Sequence, residues 1–169
     1  MGAIFSFKCA TCSRIHEGSP SFEFFEPWQY TTLPEDRRLS DAKVGPDFCI
    51  IHNDGHFDFF IRVCLGIPIR GVDQPFLWGV WISVSEENFR RYGDTWDNPV
   101  ETDEYFGWLC SKVSLYPDTL GLKTLAHPQL NGRRPMITLE PTDHPLSVDC
   151  REGLTIERAQ EMAEQLLHR

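Results

Sequence analysis

Two cysteines two residues apart, followed by a histidine, are the side chains best placed to do chemistry: Cys9-Ala10-Thr11-Cys12-Ser13-Arg14-Ile15-His16. A tight knuckle turn points two such sulfurs the same way, so they can chelate one tetrahedral ion, and zinc is the ion that a sulfur and imidazole set takes. His16 lies within reach as a third ligand. Cys49 and His52 are the nearest candidates for the fourth, with His56 behind them; Cys49 is the one taken. Four protein ligands would close the site and make it structural; three would leave a position for water and permit hydrolysis. A single knuckle leaves two other readings open. One is a pair of reduced thiols at a strand end, holding no ion. The other is a redox pair, but that chemistry wants the first cysteine at a helix N-terminus, and Ser13 to Gly18 makes a poor helix.

A second group is looser. Arg62, inside Phe59-Phe60-Ile61-Arg62-Val63, is either paired or on a solvent face, or it anchors an anion. Arg62, Trp81 and His144 together would form a pocket for a small anion, although no spacing brings the three together. Thr142-Asp143-His144-Pro145 reads first as a turn in which Asp143 bonds local backbone and Pro145 sets the bend. Cys49, Cys64, Cys110 and Cys150 lie in apolar patterns where thiols are inert. The chain has no nucleophile elbow, phosphate loop, dinucleotide fingerprint or His-Glu-x-x-His, so no catalytic residue is assigned.

Charge points elsewhere. Sixteen basic residues against twenty-five acidic ones leave −9, which argues against nucleic acid, because binding a phosphate backbone needs a basic face. From Glu86 to Glu104 there are seven acids and two arginines, so more than half of the net charge falls in that stretch. Glu86, Glu87, Asp94, Glu101, Asp103 and Glu104, with Trp96 among them, are the candidate surface for a basic protein partner: charge steers and aromatics anchor. The plain alternative is a solvated loop.

These residues must be positioned by one domain, expected over 1–169, since the length suits a single core. No apolar run is long enough to span a membrane. Met1 to Cys9 lacks the basic start and long apolar run of a secretory leader. Met1-Gly2 with Ser6 matches the loose myristoylation pattern, which a first strand through Phe5 and Phe7 explains as chance. Six reduced cysteines and no leader make the cytoplasm the expected compartment.

Strands are expected at Ile4–Lys8, Cys49–His52, Phe57–Val63, Phe76–Val84, Tyr105–Val113, Leu122–His127 and Met136–Glu140. Asn53-Asp54-Gly55 is a hairpin turn. Short helices are expected from Pro34 and after Ser85. An amphipathic helix over 155–168 carries Ile156, Ala159, Met162, Ala163, Leu166 and Leu167 on one face. Pro20 to Tyr30 reads as an irregular arm laid on the core. The sum is an α+β fold with a mainly antiparallel twisted sheet of about five or six strands. Its core should include Phe7, Ile50, Phe60, Ile82, Leu109, Ile137 and Leu166.

Seven segments in order carry a resemblance: Phe7-Lys8-Cys9-Ala10-Thr11-Cys12, Asp47-x-Cys49, Phe60-Ile61-Arg62, Trp78-Gly79-Val80-Trp81-Ile82-Ser83-Val84-Ser85, Phe106-Gly107-Trp108-Leu109, Tyr116-Pro117-Asp118-Thr119 and Thr142-Asp143-His144-Pro145-Leu146. Together they resemble a bacterial domain-of-unknown-function family, number twenty-one ninety-nine, over nearly the whole chain. The resemblance implies a stand-alone bacterial protein of the cytosol and carries over no reaction. Two functions are therefore expected from the residues. The first is a small acidic binding protein without catalysis, such as an immunity protein neutralising a basic toxin. The second is a zinc-binding module or metal-dependent hydrolase built on Cys9, Cys12, His16 and Cys49.

Overall fold

The computed structural model describes residues 3–169, so Met1 and Gly2, and the lipidation pattern that needs them, lie outside the described residues. The chain runs β1(Ser6–Lys8), β2(Ile15–Glu17), β3(Ser21–Glu23), α1(Trp28–Thr31), α2(Glu35–Asp41), β4(Ala42–Val44), β5(Phe48–Asn53), β6(His56–Ile67), β7(Phe76–Val84), α3(Glu86–Asp94), β8(Tyr105–Leu109), β9(Lys123–His127), β10(Met136–Leu139), α4(Pro145–Glu152) and α5(Ile156–Leu167). The class is α+β. No helix among the described residues is long and apolar enough to cross a membrane.

The expected mainly antiparallel twisted sheet of about five or six strands is present, but it has eight strands among the described residues and five of them close into a barrel. β6, β7, β8, β9 and β10 pair in succession as antiparallel neighbours, and β10 returns to β6 in parallel through Met136↔Cys64 and Ile137↔Leu65. A ring of five meandering strands must contain one parallel pair, because four reversals leave the last strand running in the same direction as the first. Two long strands make this possible. The first half of β6 pairs with β5 and its second half with β10. On the far edge of β7, Phe22↔Trp78 belongs to β3, and Ser83↔Trp108 to β8. At Asn53↔His56 the hairpin closes over Asp54 and Gly55, whose φ of 40° and 89° are those of a two-residue turn matched to strand twist.

Period-two alternation separates two cores. Ile61, Val63, Leu65 and Ile67 of β6 face the barrel interior with Trp78, Val80 and Ile82 of β7. Phe60 and Trp81 face outward, where Cys49, Ile51 and Cys110 join them. The arm expected over Pro20 to Tyr30 is not irregular throughout, since it holds β3 and the start of α1; with Leu33 just beyond it, its Phe24 and Tyr30 pack on this outer face, and Trp81 Nε1 donates to Phe24 O at 2.9 Å. Of the expected core residues, Ile50 and Leu166 are only half-buried. Ile50 alternates with the buried Cys49 and Ile51, and Leu166 packs at the edge of the barrel cluster.

Two helices, α3 and α5, start where hydroxyls cap them. Ser85 Oγ accepts from Asn88 N at 3.2 Å, and Thr155 Oγ1 accepts from Arg158 N at 3.1 Å. Ala159, Met162 and Ala163 put the apolar stripe of α5 against the barrel cluster, which brings the end of this helix to the N-terminal hairpin.

Candidate metal centre

β1 and β2 pair antiparallel with Phe7 opposite His16, and directly opposed side chains stand on the same face. The loop between them is a knuckle. Cys9 N donates to Arg14 O at 2.8 Å and Ser13 N to Cys9 O at 2.9 Å, while Ser13 takes a φ of 61°. This fold-back turns Cys9 and Cys12 toward His16. From the other end of the chain, Glu164 of α5 accepts a 2.8 Å hydrogen bond from Ala10 N. One helical turn later His168 reaches the knuckle.

Cys9 Sγ lies 3.0 Å from His168 Nε2, Cys12 Sγ lies 3.3 Å from His16 Nε2, and the four ligand atoms all fall within 4.8 Å of one another. With Zn–S near 2.3 Å and Zn–N near 2.05 Å, the edges of a zinc tetrahedron are about 3.3–3.8 Å, so the cluster needs only small adjustments to enclose an ion. The electrostatics agree. Burial pushes the Cys9 thiol up, but the backbone N–H groups of Cys12 and Thr11, followed by the His168 ring, outweigh it and leave it below its ordinary value. Cys12 is lowered by the Arg14 N–H first, against a smaller burial effect, with help from Cys9 and the Arg14 side chain. Donors aimed at sulfur favour the thiolate, which is the metal-binding form. This Cys2His2 set could hold a metal ion.

The fourth position is where sequence and structure part. Cys49 is fully buried on the outer face of the sheet, in the cluster with Trp81 and Phe60. Burial, then the Glu26 charge, pushes its thiol up to about 12, the opposite of what a ligand needs. His168 stands in its place. Nothing local announces it, because it is 159 residues from Cys9 and meets the knuckle only once α5 has docked. The faint signal is a flank: Gln160, Glu164 and His168 recur every four residues beside the apolar stripe, and Gln160 Nε2 donates to Glu164 Oε1 at 3.3 Å.

The anion pocket is not assembled. Arg62, 5% exposed, is held by Glu23 at 2.7 Å and lies 6.0 Å from the Trp81 ring. His144 instead begins α4: its Nδ1 accepts from Leu146 N at 3.1 Å and its Nε2 lies 3.2 Å from Asp118 O. Thr142 and Ser147 complete that turn, with Thr142 Oγ1 accepting from His144 N and Ser147 Oγ from Thr142 N. These bonds do the work the sequence suggested for Asp143.

Part of the acidic stretch is engaged internally. Glu86 meets Arg90 at 2.6 Å, Asp103 meets Arg91 at 3.8 Å, and Glu104 lies 3.7 Å from the His127 ring. Glu87, Asp94 and Glu101 make no ion pair among the described residues. Trp96 is 41% exposed and stacks edge-on against Tyr92.

A protein-family model described as "Uncharacterized protein conserved in bacteria (DUF2199)" matches residues 8–154. The match takes in Cys9, Cys12 and His16 and stops before α5 and His168. No curated protein and no solved structure gives a significant match.

Proposed function

The chain belongs to the bacterial DUF2199 family, and we propose that it is a non-catalytic zinc-binding module in which Cys9, Cys12, His16 and His168 hold one structural zinc ion. The observation that carries this reading is the convergence of four sulfur and imidazole ligand atoms within 4.8 Å. A bound ion of this kind fixes the fold around it. The residues divide the work. Cys9 and Cys12 supply charge, steadied by the backbone N–H groups that point at their sulfurs. His16 and His168 complete the tetrahedron from a strand and from beyond a helix. With His168 as fourth ligand no position is left for water, which speaks against hydrolysis. Six free cysteines fit the reducing compartment expected for the protein.

The test is elemental analysis of protein purified without a histidine tag, with a parallel thiol titration. About one zinc per chain, with Cys9 and Cys12 protected, is expected for a closed site. Cys9→Ser should abolish the stoichiometry. His168→Ala should weaken zinc retention against a chelator by about tenfold or more, since a lost ligand costs at least what a lost supporting group does. Metal-free protein with an unchanged melting temperature would overturn the proposal.

A second reading, the acidic surface for a basic partner, is favoured by Glu87, Asp94 and Glu101, which make no ion pair among the described residues, and by the exposed Trp96 in the same stretch of chain. It is compatible with a structural zinc. Its test is affinity capture from bacterial lysate by wild type and by the triple Glu87→Gln, Asp94→Asn, Glu101→Gln variant; equal capture by both would remove it.

A further inference from the structure

An open groove of about 850 Å³ crosses the outer face of the barrel and shares no residue with the metal centre. Its volume is that of a small-molecule site. Its floor is the outward side of β6, β7 and β8. On one side stand Phe106 and Trp108, which alternate outward along β8 and remain 42% and 45% exposed. On the other is the tip of the β5–β6 hairpin, with Phe57 57% exposed. Three large aromatic side chains thus face solvent around one concavity.

The polar groups there are biased one way. Asp58 and Glu86 are the acidic residues of the lining, and no lysine or arginine belongs to it; Asp58 accepts from Asn53 Nδ2 at 2.6 Å and lies 3.7 Å from the ring of His56, which also lines the groove, and Glu86 pairs with Arg90 from outside it. At the α1 end, Gln29 Oε1 is buried and has no hydrogen-bond partner. An orphaned buried acceptor costs stability until a donor reaches it. The N-terminus of α3 also borders the groove, and its positive dipole end would draw an anion, but Ser85 Oγ already caps it and Glu86 and Glu87 offset it. What the groove offers is therefore aromatic faces, carboxylates and an unfilled acceptor. Aromatic faces attract cations, and Lys123 Nζ already lies 6.0 Å from the Trp108 ring centroid on the protein's own account.

We propose that this groove binds a small organic cation, an ammonium or amidinium carried on an apolar body, with its N–H groups directed to Asp58 and Gln29 and its body against Phe106 and Trp108. A metal ion would not use the rings, and a neutral aromatic without a donor would leave the Gln29 amide oxygen unsatisfied and gain nothing from the negative charge of Asp58.

The test is a proton–nitrogen NMR titration at about pH 8, where histidine carries little charge, with benzamidine and phenethylamine as cations, benzyl alcohol as neutral isostere and benzoate as anion. Both cations should shift the resonances of Phe57, Phe106 and Trp108 and saturate. Benzyl alcohol and benzoate should bind about tenfold more weakly or not at all, a difference of about 1.4 kcal/mol. Asp58→Asn and Trp108→Ala, both at solvent-facing positions, should each weaken the cations about fivefold, and Gln29→Leu should do so without loss of fold. Equal binding of benzyl alcohol and the cations would overturn the proposal, as would tighter binding of benzoate, no effect of the variants, or no shift with either cation. Zinc content should be unchanged in every variant, so this result is independent of the metal centre.

Discussion

At the scale of single residues, the cysteines divide by environment rather than by position in the chain. Cys9 and Cys12 sit among N–H donors and are lowered. Cys49 and Cys150 are raised to about 12, chiefly by burial, with the Glu26 charge adding for the first and the Asp149 charge for the second. A thiol that titrates near 9 in the unfolded chain and near 12 in the folded one keeps its proton longer when folded. Between pH 9 and pH 12 the folded state then binds more protons, and stability falls as pH rises. Thermal melts across this window should show a steep alkaline loss, and Cys49→Ala should flatten it while lowering the melting temperature at neutral pH through the cavity it leaves. An unchanged slope would mean that Cys49 ionises normally. The CxxC pair was legible in the sequence because its spacing is local chemistry. The fourth ligand was not, and Cys49 was the wrong choice because period-two parity places it on the face opposite the barrel interior, away from the N-terminal hairpin.

At the scale of elements, local pattern carried most of the reading. The strands from 48 to 139, the hairpin at Asp54-Gly55 and the capped helices after Ser85 and Thr155 follow from alternation, turn residues and hydroxyl caps. The short strands β2, β3 and β4 and the helix α4 escaped, since three-residue strands and a helix opened by a histidine cap carry almost no periodic signal. Barrel closure escaped for a different reason: β10 finds β6 only through tertiary packing. Gly107 shows how tight that packing is. A Cβ there would stand 2.6 Å from the backbone oxygen of Ser83 and 2.9 Å from Ile82 Cδ1. β7 and β8 approach that closely only because the side chain is absent. Gly107→Ala should cost about 2–3 kcal/mol, at the upper end of the range for overpacking, because the nearest obstacle is backbone. Urea denaturation would read this as a lower midpoint with an unchanged slope; a neutral effect would show that the β7–β8 ladder can shift.

At the scale of the whole molecule, a zinc ion at the Cys2His2 cluster would act as a clasp. It would join Cys9 to His168, 159 residues apart, and so restrict the unfolded chain as a long-range crosslink does, by up to about 5 kcal/mol in the chain-entropy account. Removing it should therefore lower the melting temperature of the whole protein and, under milder conditions, release α5 first. Hydrogen exchange after chelation should rise in residues 156–167 before it rises in β6 or β7, where the pairing is longest. Uniform loss of protection would mean that α5 and the barrel open as one unit.

The parallel seam between β6 and β10 also sets a timetable. The antiparallel pairs of the ring join strands that follow one another along the chain, whereas Met136↔Cys64 must wait until β7, β8 and β9 have been laid between them. Contacts of such long sequence separation form late. The barrel should thus zip from β6 toward β9 and seal last. In stopped-flow folding, Ile137→Ala should speed unfolding and leave the folding rate nearly unchanged, while Val80→Ala slows folding. The reverse pattern would place the seam in the nucleus. A freshly made chain would spend its last slow moment as an open sheet with two unsatisfied edges, the state in which a partner strand or a second copy competes with β10 for β6.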